Sequence, residues 1–439
     1  MKALIAFQLL LCFFLTGKSL SQPLELTEAL RMVEERNLQL RKQTESEKIA
    51  RLQEWVQKAK RLPSLDLSVS SSYLTEVNEI DLSRTIGIPD RRVELGGHDR
   101  SEIILGIRQP IFTGFRLKSQ IELAKNTTLS EHALFETLAN EIHHKVHLIF
   151  YSSQSLTNQR RILESSRQRL QVQLRQVRNL FEAAQVMAFD TLRVFNQMLA
   201  LDIDLEKNAF QRGLIKLQLA HLLDLPEARP IAEIGLDAPT DEWPDVIRLK
   251  QQALAQRPEL QRLQLAQKGA RIQENLARST LFPVVFGHAN FHYAKPGLDP
   301  VVNEWMDYFS VGFNLQWNLW RWQGNRKQVE SIGIRRNQLT LEEQALLRAI
   351  EIEVEERFEE LLHRVRQWRL ARQLQKQQSE RYRIVSAQHQ NGLATTNDLV
   401  TAEADLTNAE LRTQNVVIRY HIGVADLKKA TGAIMRNGE

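Results

Sequence analysis

Cysteine is all but absent: of 439 residues only Cys12 carries a thiol. It lies in an N-terminal apolar run that reads as a cleaved export signal. The mature chain therefore has no disulfide, no thiolate nucleophile and no sulfur ligand for zinc. Long hydrophobic runs are missing too. Beyond that terminus no stretch reaches the roughly 20 apolar residues of a transmembrane helix, although 43% of the residues are hydrophobic. Nor does one sign of charge dominate. The 58 Lys and Arg against 53 Asp and Glu give a net +5, and losing Lys2 and Lys18 with the signal leaves +3. Both signs are interleaved along the chain, which argues against nucleic acid as a partner. There is no Gly-rich phosphate loop and no nucleophile elbow. An enzyme is not expected, and no cofactor is implied.

What is present begins with the terminus itself. MKALIAFQLLLCFFLTGKSLSQP has Lys2, an apolar run from Ala3 to Leu15 and a Ser19-x-Ser21 site, so cleavage is expected before Gln22, with residues 1–21 as signal peptide. Leu9-Leu10-Leu11-Cys12 also has the outline of a lipoprotein box, but the apolar run continues past Cys12 and would be cut in two. Export without disulfides is compatible with a bacterial envelope protein.

The rest of the chain contains one pattern twice. RNLQL (36–40) matches RPEL (257–260), and RLPSLDLSVSSSY (61–73) matches TLFPVVFGHANFHY (280–293), both at a spacing of 220. SEIILGIRQPIF (101–112) falls on residues 309–320 at 208, and VMAFDTL (186–192) on LATTNDL (393–399) at 207. The copies span 22–225 and 245–432, joined by a connector at 226–244 and followed by a tail, 433–439. In each, an amphipathic helix leads through a proline into two strands, about 64–74 and 101–112 in the first copy, about 284–294 and 308–320 in the second. Long helices follow, about 115–224 and 324–430.

Those helices are unusual. No Gly or Pro occurs between Phe115 and Arg212, and a helix of about 65 residues spans roughly 100 Å at 1.5 Å per residue. Near the C-terminus Leu399, Ala402, Leu406, Ala409, Thr413, Val416, Tyr420, Gly423 and Leu427 alternate in steps of three and four, a heptad seam that admits small residues.

The strands are equally specific. In YFSVGFNLQWNLW (308–320) the odd positions Phe309, Val311, Phe313, Leu315, Trp317 and Leu319 are apolar, while Ser310, Gly312, Asn314, Gln316 and Asn318 alternate with them. Leu65, Leu67 and Val69 repeat the pattern against Asp66, Ser68 and Ser70. One oily and one watery face, about ten residues and aromatic ends are what an outer-membrane strand requires, and Trp317, Trp320 and Trp322 crowd one end as an interfacial girdle would. By parity Trp317 and Trp320 point to opposite faces. Alternation alone fits a half-buried soluble sheet as well; the signal and the lack of any packing domain favour the membrane. Four strands cannot close a barrel, and an open edge in lipid leaves backbone groups unsatisfied. The chain must then supply part of a shared barrel.

LTEAL with RNLQL, QPIFTGFR (109–116) with WNLWRWQGNR (317–326), and NGLATTNDL (391–399), in duplicated order, resemble the TolC-like outer-membrane efflux protein family over about Leu24 to Gly432. The resemblance implies an α+β membrane protein: a homotrimer whose four strands per chain make a twelve-stranded transmembrane β-barrel in outer-membrane lipid, continued by a long periplasmic α-helical barrel of coiled coils. It implies passive exit of small molecules delivered by an inner-membrane transporter through a periplasmic adaptor. Leu65, Leu67, Val69, Phe309, Val311, Phe313, Leu315 and Trp317 would face lipid. The turns between paired long helices would form the periplasmic tip and gate. In the second copy Gly392, Leu393 and Asp398 match that motif, whereas in the first Gln185 and Val186 stand where Gly and its neighbour are usual, and Thr191 where Asp is. His389, Ala394 and Asp398 occupy places that in some members hold closing polar links, and Thr401 replaces an acid. Three copies of Asp398 around an axis would favour cations. Asp398 near a helix N-cap and Gly392 as a C-cap are equally compatible with the residues.

Two other readings share this sequence: the outer-membrane component of type I protein secretion, and a non-conducting envelope coiled coil. His143 and His147, four apart in EIHHKVH, can in principle grip a metal, but no HExxH glutamate accompanies them and solvent-exposed helix histidines are the expectation. Asn126-Thr127-Thr128 is a glycosylation sequon of no expected consequence in a bacterial envelope.

Overall fold

The computed structural model describes residues 22–81, 92–94, 97–299 and 302–433. The signal segment 1–21 and residues 434–439 of the tail lie outside them. The chain opens with helices α1 (Leu26–Arg36) and α2 (Leu38–Ala59), then strands β1 (Ser64–Tyr73), β2 (Glu79–Asp81), β3 (Arg92–Glu94) and β4 (Asp99–Phe112). Helices α3 (Arg116–Glu182) and α4 (Ala188–Leu222) end the first copy. The second runs through α5 (Val246–Gln256), α6 (Pro258–Arg278), a 3-10 turn, β5 (Val284–Lys295), β6 (Met306–Gln316), α7 (Gly324–Gln390) and α8 (Thr396–Ala430).

The duplication is more regular in three dimensions than in sequence. Helices α3 and α7 are each 67 residues long, and α4 and α8 each 35. Both pairs start 208 positions apart, at 116 and 324 and at 188 and 396. The earlier elements keep a spacing of 220: α1 and α5 start at 26 and 246, β1 and β5 at 64 and 284. Each strand-to-helix corner uses two successive left-handed residues, Gly114 and Phe115 in one copy, Trp322 and Gln323 in the other. At Gly114 no side chain fits, because a Cβ would stand 2.7 Å from the Ser279 carbonyl oxygen.

The chain forms two compact units. One comprises residues up to 44, 133–261 and from 344 onward. Its cores repeat the same packing. In the first cluster Ala29, Val33 and Leu40 meet Ile142, Val146 and Leu219; in the second Leu249, Ala253 and Leu260 meet Ile350, Val354 and Leu427. These are the same positions advanced by 220 and 208. A third cluster joins Leu163, Leu170 and Val177 of α3 to Val194 and Leu201 of α4, at seven-residue steps that mark a coiled-coil seam.

The other unit, residues 45–132 and 262–343, holds the sheet. Its four main strands are antiparallel in the order β1-β4-β5-β6, and β2 pairs with β3 separately. The β4–β5 ladder shifts register between Pro110 and Phe112, where proline has no N–H to donate. Strand β6 is shorter at its end than the alternation predicts. It stops at Gln316 because its partner begins at Val284, directly after Pro283, and the ladder ends there. Trp317 therefore lies beyond the strand, its indole Nε1 donating to the Leu281 carbonyl at 3.1 Å.

Candidate functional site

The register converts the alternation of single strands into two continuous faces. Across all four strands Leu67, Leu105, Phe291 and Phe309 stand in one row, and Leu65, Ile107, Ala289 and Val311 in the next. Phe291 and Phe309 touch, with ring centroids 5.1 Å apart. Among the described residues nothing covers this face along β6: Phe309 is 77% exposed, Val311 82% and Phe313 77%. Leu65, Leu67, Val69, Leu315 and Trp317 are also exposed. An apolar band of this extent is not what a water-facing sheet carries.

The opposite face is polar. Asp66, Gly106, Asn290 and Ser310 form one row, and Ser68, Ile104, His292 and Tyr308 another. His292 bridges strands: its Nδ1 lies 2.8 Å from Glu102 Oε1 and its Nε2 2.8 Å from Ser310 Oγ. The His292 ring stacks flat on Tyr308 at 4.5 Å. At one end of the sheet Tyr293 stacks on Trp305, and the apolar face gives way to Asp99, bonded to Lys295 and Asn303. At the other end stand Phe115, Phe282, Trp320 and Trp322. Aromatic rings thus flank the apolar band at both ends, as at two membrane–water boundaries. Among the described residues β1 and β6 have one partner strand each, so both outer edges carry unpaired backbone groups.

The turns that join the long helices are built alike, and they shift the sequence-based alignment by one residue. Gly392 is left-handed at φ 72° and Leu393 N–H bonds the Gln388 carbonyl. In the first copy the left-handed residue is Ala184, and Gln185 N–H bonds the Leu180 carbonyl. The equivalent of Gly392 is therefore Ala184, not Gln185, and the spacing here is 208, not 207. Likewise Asp398 Oδ2 accepts from the Thr395 N–H at 3.1 Å and hydroxyl at 2.6 Å, while Thr395 Oγ1 accepts from Asp398 N–H. That is a capping box. Its counterpart is Asp190, whose Oδ2 accepts from Met187 N–H at 3.2 Å, and not Thr191, whose hydroxyl is buried. Among the expected tip residues, Gln185, Leu393 and Thr401 are exposed, and Val186 packs on the α3–α4 cluster. His389 is buried inside its turn, Nε2 3.4 Å from Thr396 Oγ1. Burial pushes the His389 imidazole pKa down, against a smaller upward pull from Asp190. The Thr395 hydrogen bonds hold the Asp398 carboxyl below its usual range.

Three polar groupings near the tip escape a reading of the sequence. Arg193 bonds Asn397. Arg381 bonds Asp405 at 2.5 Å. Glu403, fully buried on α8, accepts from Ser166 at 2.7 Å, Thr407 at 2.8 Å and Arg169. The available signal was a charge beside the apolar seam at Ala402 and Leu406. Elsewhere the expectation of solvent-exposed histidines fails: His143 and His147 are buried, His143 Nε2 3.3 Å from Glu34 and His147 beside Tyr151. Asn126 of the sequon is buried too, donating to the Leu265 carbonyl.

A sheet with one lipid-compatible face, one polar face and open edges, linked to paired helices of 67 and 35 residues, defines the class of outer-membrane channels that combine a β-barrel with long helices. The sequence profile of the outer membrane efflux protein family matches residues 29–223 and 249–433, and the chain belongs to that family. It is an outer-membrane efflux protein. Solved structures share the fold. The outer-membrane channel OprN is 14% identical, with a TM-score of 0.78 over 94% of this chain and 91% of that one. VceC of Vibrio cholerae is 17% identical, with a TM-score of 0.76 over 93% and 96%. The open state of MtrE from Neisseria gonorrhoeae is 17% identical, with a TM-score of 0.76 over 94% and 90%. A search of curated proteins finds no match.

Proposed function

We propose that three copies of this chain close one twelve-stranded barrel, the free edge of β1 pairing with the free edge of β6 in the next copy. The apolar face meets lipid and the polar face lines a water-filled lumen. The exposed apolar band with unpaired edges on both sides carries this reading, since the band is unfavourable in water and open edges are unfavourable in lipid. The paired long helices continue the lumen into the periplasm. Their turns face a periplasmic adaptor and an inner-membrane transporter, which deliver small molecules for passive exit.

The test is native mass spectrometry of the detergent-purified protein together with planar-bilayer recording. A trimeric mass with stable conductance is the expected result. A monomer without conductance would return the chain to the class of non-conducting envelope coiled coils.

A further inference from the structure

The two helix pairs are equal in length but not in burial. Their seam faces match: Ala402 and Ala409 are buried on α8, and Val194 and Leu201, 208 positions earlier, are buried on α4. A second face of α8 carries Glu403, Thr407, Ile418 and Ala425, all buried as well. Its counterparts on α4 are Phe195, Leu199, Phe210 and Leu217, and all four are exposed. A water-facing helix does not line up large apolar side chains along one side. What α4 lacks is a neighbour.

For α8 that neighbour is α3 of the same chain. Ser166 Oγ donates to Glu403 Oε1 at 2.7 Å, Asn158 Nδ2 donates to Gln414 Oε1 at 3.2 Å, and His144 Nε2 lies 2.8 Å from Asp426 Oδ1. These contacts fix one antiparallel register. The counterpart of α3 is α7, where the same positions advanced by 208 are Leu374, Arg366 and Ile352. All three are exposed, and so is Leu370 between them. On α4 the residue matching Gln414 is Glu206. Arg366 and Glu206 are both exposed, and neither has an ion-pair partner among the described residues.

From this pattern we infer that α7 of one chain docks on α4 of the next in the register that α3 and α8 adopt within a chain, setting Leu374 against the neighbouring chain's Phe195 and pairing Arg366 with its Glu206. The inference deepens the trimer reading above and rests on it. A contact from the second half of one chain to the first half of the next is heterologous, and repeated three times it closes a ring. It runs in the same sense as the pairing of β6 with β1 of the next chain. The chemistry differs between the two junctions. Inside the chain a hydroxyl meets a carboxylate and an amide meets an amide; between chains the same places hold two apolar side chains and an ion pair. The halves therefore cannot exchange partners: Leu374 set against Glu403 would leave that carboxylate buried without its hydroxyl donor.

The experiment is thiol cross-linking of the full chain in outer-membrane vesicles with a short bis-maleimide, beside native mass spectrometry of the same preparation. Cys12 falls in the signal segment, so the reacting thiols are those introduced. Leu374→Cys and Phe195→Cys in one chain should give dimer and trimer bands on a denaturing gel, whereas each single variant stays at the monomer position. Ile352→Cys with Phe195→Cys should not link, because position 352 lies about 33 Å along α7 from position 374 at 1.5 Å per residue. Arg366→Glu, added to the linking pair, sets two acids together and should lower the linked fraction several-fold; Glu206→Arg on top should restore it. A trimeric mass without linking at 374 and 195 overturns the inference while leaving the trimer reading standing. Equal linking through Ile352→Cys, or no restoration by Glu206→Arg, also overturns it. A monomeric mass strikes the trimer reading instead. Should the cysteine pair not assemble, the trimer fraction of Arg366→Glu, lowered alone and recovered with Glu206→Arg, decides.

Discussion

Arg257 donates its Nε hydrogen to the carbonyl oxygen of Ala430 at 2.8 Å, closing the C-terminal end of α8 onto the junction of α5 and α6. In the first copy Asn37 does the same for Leu222, donating Nδ2 at 2.9 Å. The two donors are 220 positions apart and the two acceptors 208, so one lock was kept through the duplication with a different side chain. Arg257 is buried and also bonds Glu353. Arg257→Ala leaves the carbonyl and the acid without their partner and is expected to cost about 1–3 kcal/mol. A lowered thermal midpoint of the purified protein checks it, and Asn37→Ala should act in the same direction.

Glu403 is fully buried and its charge partner is Arg169. Arg169→Ala strands that carboxylate among helices and is expected to destabilise by about 3–5 kcal/mol. Arg169→Met combined with Glu403→Leu should recover most of the loss, because the desolvated charge goes with its partner. Denaturant midpoints of the single and double variants measure the difference.

At His389 the sign follows from burial. The folded turn takes up a proton less readily than the open one, since burial lowers the pKa. The turn is therefore at full stability above the ordinary imidazole value and loses stability as pH falls through and below it. Hydrogen exchange of amides 389–396 should be faster at about pH 5 than at pH 7 after correction for intrinsic rates. In His389→Gln the excess should vanish.

Asp398 loses its contribution in the same direction but at lower pH. Its carboxyl is held low by Thr395, so the cap is complete above the ordinary carboxylate range and is lost as pH falls through the depressed value. Thr395→Ala or Asp398→Asn should speed exchange at amides 395–398 by roughly three- to tenfold at neutral pH. Unchanged exchange would remove the capping role and return Asp398 to the gate.

Phe313 lies on the apolar face and Asn314 on the polar one. A charge at Phe313 near the membrane midplane should cost about 2–4 kcal/mol, whereas Asn314→Lys should insert normally. Spin labels at Phe313→Cys and Asn314→Cys should report lipid and water respectively. Equal access of a polar relaxation agent to both would remove the assignment of faces.

The parts that could be read from the chain are those written in short periods. Alternation from Phe309 to Leu315 and the seam from Leu399 to Leu427 involve neighbours two, three or four residues apart. Strand faces and helix seams follow from that spacing alone, whatever lies further along the chain. The failures lie where backbone geometry or distant partners decide. Low identity let the tip alignment slip by one, because the residue that takes the left-handed turn in the first copy is Ala184, which gives no glycine signal. Trp317 reads as a strand residue, but the strand ends where β5 supplies no further partner.

Alternation and helix periodicity therefore settle that this chain makes amphipathic strands and very long helices, since both depend on side-chain direction along one segment. Which acid caps a helix, which is buried beside an arginine and which histidine spans three strands are different questions. Arg169 and Glu403 are 234 residues apart, and Glu102 and His292 are 190. Pairings over such separations exist only after the sheet has its register and the helices their packing, because hydrogen bonds of about 3 Å need partners placed to within a fraction of an ångström.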